Sequence, residues 1–353
     1  MKKTVAVLFG GRGQEHEISH ASAKAIFAWI DRERFDPFPV WISREGDFFL
    51  FRETADVLPD TLDPDAAGRL KPTFPVRLSG RCGFLDGRRI RPVDAVIPCL
   101  HGDYGEDGRI QGLLDCAGLP YVGAGCIAGA VCADKAIAKA VARALGIPTL
   151  PWLLFRGDEE EGDALSDAKN FFGNGEYSPL FVKPDALGSS VGASPAKTEE
   201  EFRTAYRAAA RYGRVIVEPL LPLPRELEVA ALLTEGVPIL SYPGEIESGA
   251  GFYSYEEKYR SDTAKITLAP SLDGATEEKL YTYTSSLLSA LGCVGPARVD
   301  YFLDGSGALF FNEVNTFPGF TPISLYPRLM ERAGIPPQAL LTRLLEATID
   351  RRL

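Results

Sequence analysis

Arg298-Val299-Asp300-Tyr301-Phe302 and, a little further on, Phe310-Phe311-Asn312-Glu313-Val314-Asn315-Thr316 form the most informative stretch of the chain. Both are runs of bulky apolar residues with polar residues set between them, which is typical of β-strands. Asp304-Gly305-Ser306-Gly307 lies between the two runs and has the composition of a tight turn. The stretch therefore predicts two neighbouring strands joined as a hairpin.

The polar residues of this hairpin are predicted to share one face, because side chains alternate along a strand. Asp300 lies on the first strand, and Glu313 and Asn315 lie on the second. Two carboxylates and a carboxamide are hard oxygen donors, suited to Mg²⁺ bound together with substrate phosphates. Arg298 projects from the same face as Asp300. Surface charges would explain any one of these residues, but four at matched spacing favour a site for phosphoryl chemistry.

The composition restricts the class of protein. With 353 residues, the chain is long enough for about two or three domains. A hydrophobic content of 45% and a charged content of 24% are typical of a soluble globular protein. The net charge is −10 and no segment is densely basic, which argues against nucleic acid and anionic membranes as partners. No apolar run approaches the ~18–20 residues of a membrane helix.

The N-terminus and the cysteines both suggest an intracellular protein. The start MKKTVAVLFGG is basic and then apolar, like a secretory signal, but its apolar run is short and lacks a cleavage site. We interpret it as a buried strand. The six cysteines have neither CxxC nor zinc spacing, so we expect free thiols in a reducing cytosol.

The order of predicted elements indicates an α/β fold. Apolar strands are predicted at 4–9, 38–41 and 94–100, with glycine turns and helices between them. This is the pattern of a doubly wound, Rossmann-like domain, which binds ligands at the carboxyl ends of its strands. The Ala-rich segment 127–146 is predicted as one helix, and the acidic segment 157–177 as a loop with one short helix.

A Gly/Ser loop follows the predicted strand at 179–184. Its residues, Leu187-Gly188-Ser189-Ser190-Val191-Gly192, would let backbone N–H groups approach a phosphate, although an ordinary turn has the same composition. Lys183 ends the apolar strand, where a lysine is rarely left without an anionic partner. Lys135 would by itself be a solvated helix residue. Together, the two lysines and the loop suggest a clamp for a nucleoside triphosphate.

Acceptors for the rest of a nucleotide follow along the chain. Glu218 ends an apolar strand, and Glu226 and Glu228 come after a proline-rich turn and share a face. Carboxylates in apolar surroundings suit the donor groups of adenine and ribose. One of them could instead face solvent.

Two loops near the N-terminus suggest a second ligand. Gly10-Gly11-Arg12-Gly13-Gln14-Glu15 fails the Gly-x-Gly-x-x-Gly fingerprint, because His16 takes the third position, which argues against NAD. Glu15 could instead bind a ligand ammonium. His101-Gly102-Asp103-Tyr104-Gly105-Glu106-Asp107-Gly108 is either a ligand loop or an acidic turn that caps the next helix.

Together these residues resemble one family, the D-alanine–D-alanine ligases of the ATP-grasp superfamily. The matches extend over nearly the whole chain, and their joint order and spacing make the resemblance specific. They are Leu8-Phe9-Gly10-Gly11, Glu15-His16-Glu17-Ile18-Ser19, His101-Gly102, Gly105-Glu106-Asp107-Gly108, Gln111-Gly112, Asp134-Lys135, Lys183-Pro184, Gly188-Ser189-Ser190-Val191-Gly192, Arg225-Glu226-Leu227-Glu228, Phe252-Tyr253-Ser254-Tyr255-Glu256-Glu257-Lys258-Tyr259, Arg298-Val299-Asp300 and Asn312-Glu313-Val314-Asn315-Thr316-Phe317-Pro318-Gly319-Phe320-Thr321.

The resemblance implies an ATP-grasp fold and a role for each matching residue. An N-terminal α/β domain, 1–126, would contribute the first D-alanine site, and ATP-grasp subdomains would cover 127–222 and 223–353. The residues implied to bind ATP are Lys135, Lys183, Ser190, Glu218, Leu221, Glu226, Phe252, Lys258 and Asn312. The implied ligands of two Mg²⁺ ions, or of Mn²⁺, are Asp300, Glu313 and Asn315. The implied catalytic residues are Glu15, Ser189, Tyr259, Arg298 and Gly319. The implied substrate contacts are Glu15, His101, Arg298, Gly319, Ser324 and Leu325.

The implied reaction joins two D-alanine molecules for peptidoglycan precursor synthesis. A carboxylate of the first D-alanine would attack the γ-phosphate of ATP, and the amine of the second would attack the resulting acylphosphate. The loop 247–262 would close over the site and exclude water. The resemblance also implies a cytoplasmic homodimer.

The chain departs from the family pattern in two places. The turn Pro219-Leu220-Leu221-Pro222-Leu223-Pro224 is one residue longer and richer in proline than the usual family form. Leu187 stands where some members have Glu. The insertion at 43–92 fits the longer members.

Three other functions are weighed against the resemblance. D-serine as the second substrate would give a D-alanine–D-serine ligase. Another ATP-grasp carboxylate–amine ligase, such as a biotin-carboxylase-like enzyme, would lack the Glu15 and Tyr259 loops. A catalytically silent nucleotide-binding scaffold would have lost metal ligands or phosphate lysines, and the sequence keeps them.

The acceptor assignment depends on Tyr259, which the resemblance groups with Glu15 and Ser189. Lactate-using relatives typically lack the Phe-Tyr-x-Tyr-Glu-x-Lys-Tyr pattern that ends at Tyr259 here. We therefore expect Tyr259→Phe to shift the acceptor toward D-lactate, or to lower D-Ala-D-Ala formation roughly tenfold because it removes a hydrogen-bonding hydroxyl. Mass spectrometry of the products measures both. Tyr281→Phe, on the predicted helix 276–291, is the matched control. Unchanged rate and acceptor choice in Tyr259→Phe would contradict the assignment.

Overall fold

A computed structural model of the chain describes residues 1–51, 70–78, 81–188, 190–234, 236–247 and 265–351. These residues form four sheets with helices packed against them. The strands are β1 Lys3–Gly10, β2 Phe35–Ile42, β3 Phe48–Phe51, β4 Leu70–Thr73, β5 Pro75–Leu78, β6 Arg81–Asp86, β7 Arg89–Pro92, β8 Ala95–Pro98, β9 Leu153–Phe155, β10 Leu180–Pro184, β11 Ser194–Ala196, β12 Val215–Pro219, β13 Arg225–Leu233, β14 Ile239–Leu240, β15 Gly244–Glu247, β16 Lys265–Thr267, β17 Gly295–Leu303 and β18 Leu309–Asn315. The helices are α1 His16–Trp29, α2 Arg109–Ala117, α3 Cys126–Ala133, α4 Lys135–Ala144, α5 Glu161–Gly173, α6 Glu199–Ala210, α7 Gly274–Ala290, α8 Leu325–Arg332 and α9 Pro337–Asp350.

The first sheet has the order β4-β3-β2-β1-β8. Strands β2, β1 and β8 are parallel, as the predicted α/β pattern requires, and β3 and β4 extend the sheet antiparallel. The segment 43–92 contributes these two strands and the three-stranded sheet β5-β6-β7. Gly10 ends β1 at a φ of +90°, and a Cβ there would collide with the carbonyl oxygen of Ile42. The turn that opens the ligand edge of this sheet therefore needs glycine.

Helices from both ends of the chain cover the first sheet. One face packs α2, through Ile110 and Leu114. The other face packs α1 together with the C-terminal helix α9, whose Leu341 and Leu344 belong to the same apolar cluster as Val7 of β1. The end of the chain is thereby fixed to its beginning.

The second sheet, β11-β10-β12-β9, is antiparallel. Val182 and Val217 on one face pack against Phe202 of α6 in a buried cluster. The opposite face carries Phe181 and, paired across from β12, Lys183. One face of this sheet therefore packs in the buried cluster with α6, and the opposite face carries the polar side chain of Lys183.

The third sheet, β16-β15-β13-β17-β18 with β14 beside β13, is also antiparallel. Leu227 and Val299 on one face pack against α3, α4 and α7. Glu228 of β13 lies opposite Asp300 of β17, so their polar side chains share the other face. The predicted hairpin at 298–316 corresponds to β17 and β18.

Two helix predictions were wrong. The segment 127–146 is two helices, α3 and α4, because Asp134 adopts an extended backbone and its side chain accepts from the N–H of Ile137. An aspartate at this position starts a new helix instead of continuing the old one. The segment 157–177 is mostly helical, since α5 runs for 13 residues and begins with Glu161 and Asp163, which suit the positive end of a helix.

Within the described residues, no helix combines the length and the hydrophobicity that crossing a membrane requires.

The contact between α9 and the first sheet should contribute strongly to stability. Leu344→Ala removes a side chain that is 2% exposed, and should lower the free energy of unfolding by about 2–5 kcal/mol. Val237→Ala, at 88% exposed, should change it by less than about 0.5 kcal/mol. Urea unfolding followed by circular dichroism measures both. Equal effects would contradict the role of α9 in the core.

Candidate active site

The four polar residues of the hairpin lie on one face, as strand alternation predicts. Arg298 pairs with Asn315 across the two strands, and Asp300 pairs with Glu313. The side-chain amide of Asn315 donates to Oδ2 of Asp300 over 3.1 Å. Two carboxylates, an amide and a guanidinium therefore stand side by side.

A β-bulge adds one more residue to this face. The pairing of β17 with β18 shifts between Asp300 and Tyr301, so Asn312 falls within the irregularity. Asn312 and Glu313 consequently both line the same cavity, although neighbouring residues in a regular strand point to opposite sides. Strand alternation cannot predict the placement of Asn312.

Arg298 is held as a cation by three carboxylate contacts. Its Nε and Nη2 each donate over 2.7 Å to an oxygen of Asp300. Oε2 of Glu228 lies 2.9 Å from Nε. Burial lowers the pKa of Arg298, but Asp300 and then Glu228 outweigh it, so the pKa is well above its ordinary value. The guanidinium stays charged.

A cavity of about 650 Å³ lies between the second and third sheets. Lys135 and Lys183 both line it. Nζ of Lys135 donates to the carbonyl oxygen of Leu187 over 2.6 Å and lies 3.3 Å from Oε2 of Glu313. Nζ of Lys183 donates over 3.1 Å to Oδ1 of Asn312. Lys135 thus contacts Glu313, one of the proposed metal ligands, and Lys183 contacts Asn312, the residue beside it.

Glu218 lies between two lysines. Its Oε2 is 2.8 Å from Nζ of Lys183, and its Oε1 is 2.6 Å from Nζ of Lys139. The side chain is only 2% exposed. Burial raises the pKa of Glu218, but the positive charges of Lys139 and then Lys183 lower it by more than burial raises it. The pKa is therefore well below its usual value. Sequence reasoning missed Lys139, whose only signal was its place one helical turn after Lys135.

The expected adenine end of the cavity consists of the proline-rich turn. Glu226 and the turn residues from Pro219 to Pro224, including Leu221, line the cavity. Leu223 adopts a φ of +46°, a conformation that costs free energy for a residue with a Cβ. The turn therefore contains a strained backbone at Leu223.

Glu15 and His101 lie together at the carboxyl edge of the first sheet. A Cβ at Gly102 would collide with Oε2 of Glu15, and the same oxygen lies 3.9 Å from where a Cβ of Gly188 would be. The N-terminal loop therefore reaches the Gly/Ser loop. Ser190 of that loop lines the cavity and has a φ of +58°.

A hydrogen-bond chain fixes the protonation of His101. Its Nδ1 is 3.2 Å from the carbonyl oxygen of Phe317, which can only accept, so Nδ1 donates. Its Nε2 lies 2.8 Å from Oγ of Ser22 and then accepts from that hydroxyl. Burial lowers the pKa of His101, so the ring is neutral.

Glu106, which sequence reasoning assigned no individual role, connects the first sheet to the loop after β18. Its carboxylate accepts from the N–H of Gly102 over 2.8 Å and from the N–H of Phe317 over 2.9 Å. Burial and then the charge of Glu15 raise the pKa of Glu106 to about 8, despite these two donors. Glu15 and Glu106 thus place two carboxyl groups at the carboxyl edge of the first sheet.

Gly319 and Ser324 are neighbours, since a Cβ at Gly319 would lie 2.8 Å from Oγ of Ser324. That oxygen also accepts from the N–H of Thr321 over 3.1 Å. Leu325 begins α8 and is buried in the apolar cluster with α9. Four predicted site residues, Ser189, Phe252, Lys258 and Tyr259, lie outside the described residues.

The donor set fits a hard divalent cation. Asp300, Glu313 and Asn315 offer oxygen donors of the type that Mg²⁺ prefers. Among the residues described, no group of three or more His, Cys, Asp and Glu side chains could hold a metal. A cation here would therefore depend on two carboxylates, the amide and oxygens from a ligand. It would also share Asp300 with Arg298.

Comparisons with known proteins agree over the whole chain. The family model described as D-ala D-ala ligase N-terminus matches residues 4–124, and the one described as D-ala D-ala ligase C-terminus matches residues 141–346. The D-alanine–D-alanine ligase of Deinococcus radiodurans is 40% identical over 357 residues and covers 100% of both chains. That of Chlorobium limicola is 39% identical over 351 residues, 98% of this chain and 96% of the relative.

Solved structures of the same fold include two ligases with different acceptors in their names. The D-alanine-D-alanine ligase from Coxiella burnetii has a TM-score of 0.84 at 34% identity, covering 99% of this chain and 94% of that one. The VanG D-Ala:D-Ser ligase from Enterococcus faecalis has a TM-score of 0.87 at 34% identity, covering 99% of this chain and 100% of that one.

A cavity between two antiparallel sheets, lined both by lysines and by carboxylates that suit a metal ion, defines an ATP-grasp protein. An α/β domain precedes it, as the resemblance implied. The chain belongs to the D-alanine–D-alanine ligase family.

The raised pKa of Glu106 predicts how stability depends on pH. The native state keeps a proton that the unfolded state, with a pKa near 4.5, releases. This proton makes the free energy of unfolding fall as pH rises from about 4.5 to about 8, by up to ~1.4 kcal/mol per pH unit. Glu106→Gln should remove that decline. Urea unfolding of both proteins across the window gives the difference.

The control for this measurement is Glu278→Gln, on the exposed side of α7. It removes a carboxyl group of the same kind and should keep the wild-type slope. A difference between wild type and Glu106→Gln that stays constant with pH would contradict the raised pKa.

Proposed function

We propose that the protein joins two D-alanine molecules into D-alanyl-D-alanine with ATP, through an acylphosphate intermediate. The observation that carries the proposal is the charged cavity, which Lys135, Lys183, Asp300 and Glu313 line together and in which Lys135 contacts Glu313. Membership of the D-alanine–D-alanine ligase family supports the same reaction. D-serine as second substrate is the alternative, favoured only by the likeness to the VanG ligase.

The positively charged side chains of the cavity reduce the repulsion between the two anions that must meet in the first step. A carboxylate of D-alanine must approach the γ-phosphate of ATP, and both are anions. Lys135, Lys183 and Arg298 reduce this repulsion, and they are already oriented by protein carboxylates before a ligand arrives. Bound Mg²⁺ on Asp300, Glu313 and Asn315 would supply further positive charge and orient the phosphates.

The carboxyl edge of the first sheet suits the first D-alanine. Glu15 offers a carboxylate for its ammonium, beside the Gly/Ser loop. His101 is neutral and hydrogen-bonded on both ring nitrogens, so it adds no charge that would repel that ammonium. This end of the cleft therefore selects an amino acid by its ammonium.

The second step forms a tetrahedral oxyanion, for which two donors lie nearby in the chain. Arg298 provides a permanent cation, and Gly319 provides a backbone N–H in the loop after β18. Glu106 holds the same loop through the N–H of Phe317. The residues outside the described ranges, Ser189, Phe252, Lys258 and Tyr259, keep the roles that the resemblance implies.

The wider setting follows from family membership. We propose a cytoplasmic homodimer with no nucleic-acid or membrane partner, which supplies peptidoglycan precursors. We also propose the division into an N-terminal α/β domain, 1–126, and ATP-grasp subdomains at 127–222 and 223–353.

A product assay tests the proposal directly. With ATP, Mg²⁺ and D-alanine, phosphate release should depend on D-alanine, and mass spectrometry should find D-Ala-D-Ala even when D-serine and D-lactate compete. Asp300→Asn should lower release by about 10²-fold or more, because it weakens the metal donor set. Mainly D-Ala-D-Ser would favour the alternative. Folded wild-type protein without D-alanine-dependent release would contradict the function.

A further inference from the structure

Lys139 is a buried lysine that the proposed reaction does not use. Its side chain is 0% exposed, deeper than that of Lys183. Its Nζ lies 2.6 Å from Oε1 of Glu218 and 3.4 Å from the carbonyl oxygen of Phe311. Lys139 is not part of the cavity lining, which does contain Lys135 and Lys183. A buried ammonium is costly to keep, so its position calls for a reason.

Glu218 connects this hidden lysine to the nucleotide cavity. One carboxylate oxygen contacts Lys139, and the other contacts Lys183. Burial lowers the pKa of Lys139, and the negative charge of Glu218 opposes that shift. With Lys139 protonated, the three groups carry two positive charges and one negative charge. Without Lys139, Glu218 and Lys183 would form a neutral pair, and Lys183 would be held by its carboxylate partner instead of by an incoming phosphate.

We propose that Lys139 is a positioning residue of the nucleotide site, which balances Glu218 so that Lys183 keeps its charge available for phosphates. The inference rests on the proposed binding of ATP in this cavity. It assigns the preference for phosphate partly to a residue that never touches the nucleotide. Lys139 acts through Glu218, so its effect should vanish when Glu218 is made neutral.

A double-mutant cycle separates this indirect action from a direct one. The four proteins are wild type, Lys139→Met, Glu218→Gln and the double variant. For each, Kd is measured for ADP and for adenosine by competition with a fluorescent ATP analogue, with Mg²⁺ present. The ratio of the adenosine Kd to the ADP Kd reports phosphate binding alone, because any effect on adenine cancels.

We expect Lys139→Met to lower this ratio by about tenfold or more. In the Glu218→Gln background the same change should lower it by less than about threefold, since no carboxylate then competes for Lys183. Lys169→Met is the matched control, because Lys169 forms an ion pair with Glu199 away from the cavity. It should leave the ratio unchanged.

Equal loss in both backgrounds would overturn the inference, because Lys139 would then act directly by its own charge. An unchanged ratio in Lys139→Met would overturn it as well. If Lys139→Met does not fold, the comparison of Glu218→Gln with the double variant decides, and a tenfold loss there contradicts the proposal. Failure of folded wild-type protein to bind ADP would instead refute the proposed nucleotide site.

Discussion

The structure depends on the mutual neutralisation of charges buried between its second and third sheets. Burying an ionised side chain without a partner is prohibitively unfavourable, whereas a paired and hydrogen-bonded charge is tolerated. Glu218 lies against two lysines, and Arg298 lies against Glu228 and Asp300. Each sheet supplies apolar side chains to a core on one face and charged side chains to the cavity on the other. The cavity and the cores therefore follow from the same strand alternation.

This neutralisation also prepares the cavity for ligands. The cations that would meet phosphates are already oriented by carboxylates, so little reorganisation is needed when the ligand arrives. Arg298 forms a bidentate hydrogen-bonded pair with the carboxylate of Asp300, which would also bind the metal. Ligand binding would therefore redistribute contacts within an existing network. The proposed role of Lys139 is one example, because it decides how much of the charge of Lys183 that network leaves available.

Strand patterns predicted the parts of this arrangement that depend on local sequence. Alternation was sufficient to place Arg298, Asp300, Glu313 and Asn315 on one face, and the apolar runs predicted β1 and its parallel neighbours. The motifs spread along the chain indicated the family. These features are encoded within a few residues of one another, or in the order of motifs.

Local sequence patterns could not predict the features that arise from tertiary contacts. The bulge that places Asn312 at the cavity contains no glycine or proline from which it could have been predicted. The burial of Lys139 depends on Glu218, which lies far away in the chain, and the raised pKa of Glu106 depends on Glu15 and on burial. The break at Asp134 could have been found, because an aspartate before a helical run is a recognised N-cap.

The most direct test of the proposed reaction follows its oxygen atoms. If D-alanine labelled with ¹⁸O in its carboxylate is the substrate, we expect one ¹⁸O atom in each released phosphate, because a carboxylate oxygen attacks the γ-phosphate and leaves with it. Unlabelled phosphate, formed alongside D-Ala-D-Ala, would contradict activation of the carboxylate by phosphoryl transfer in this cavity.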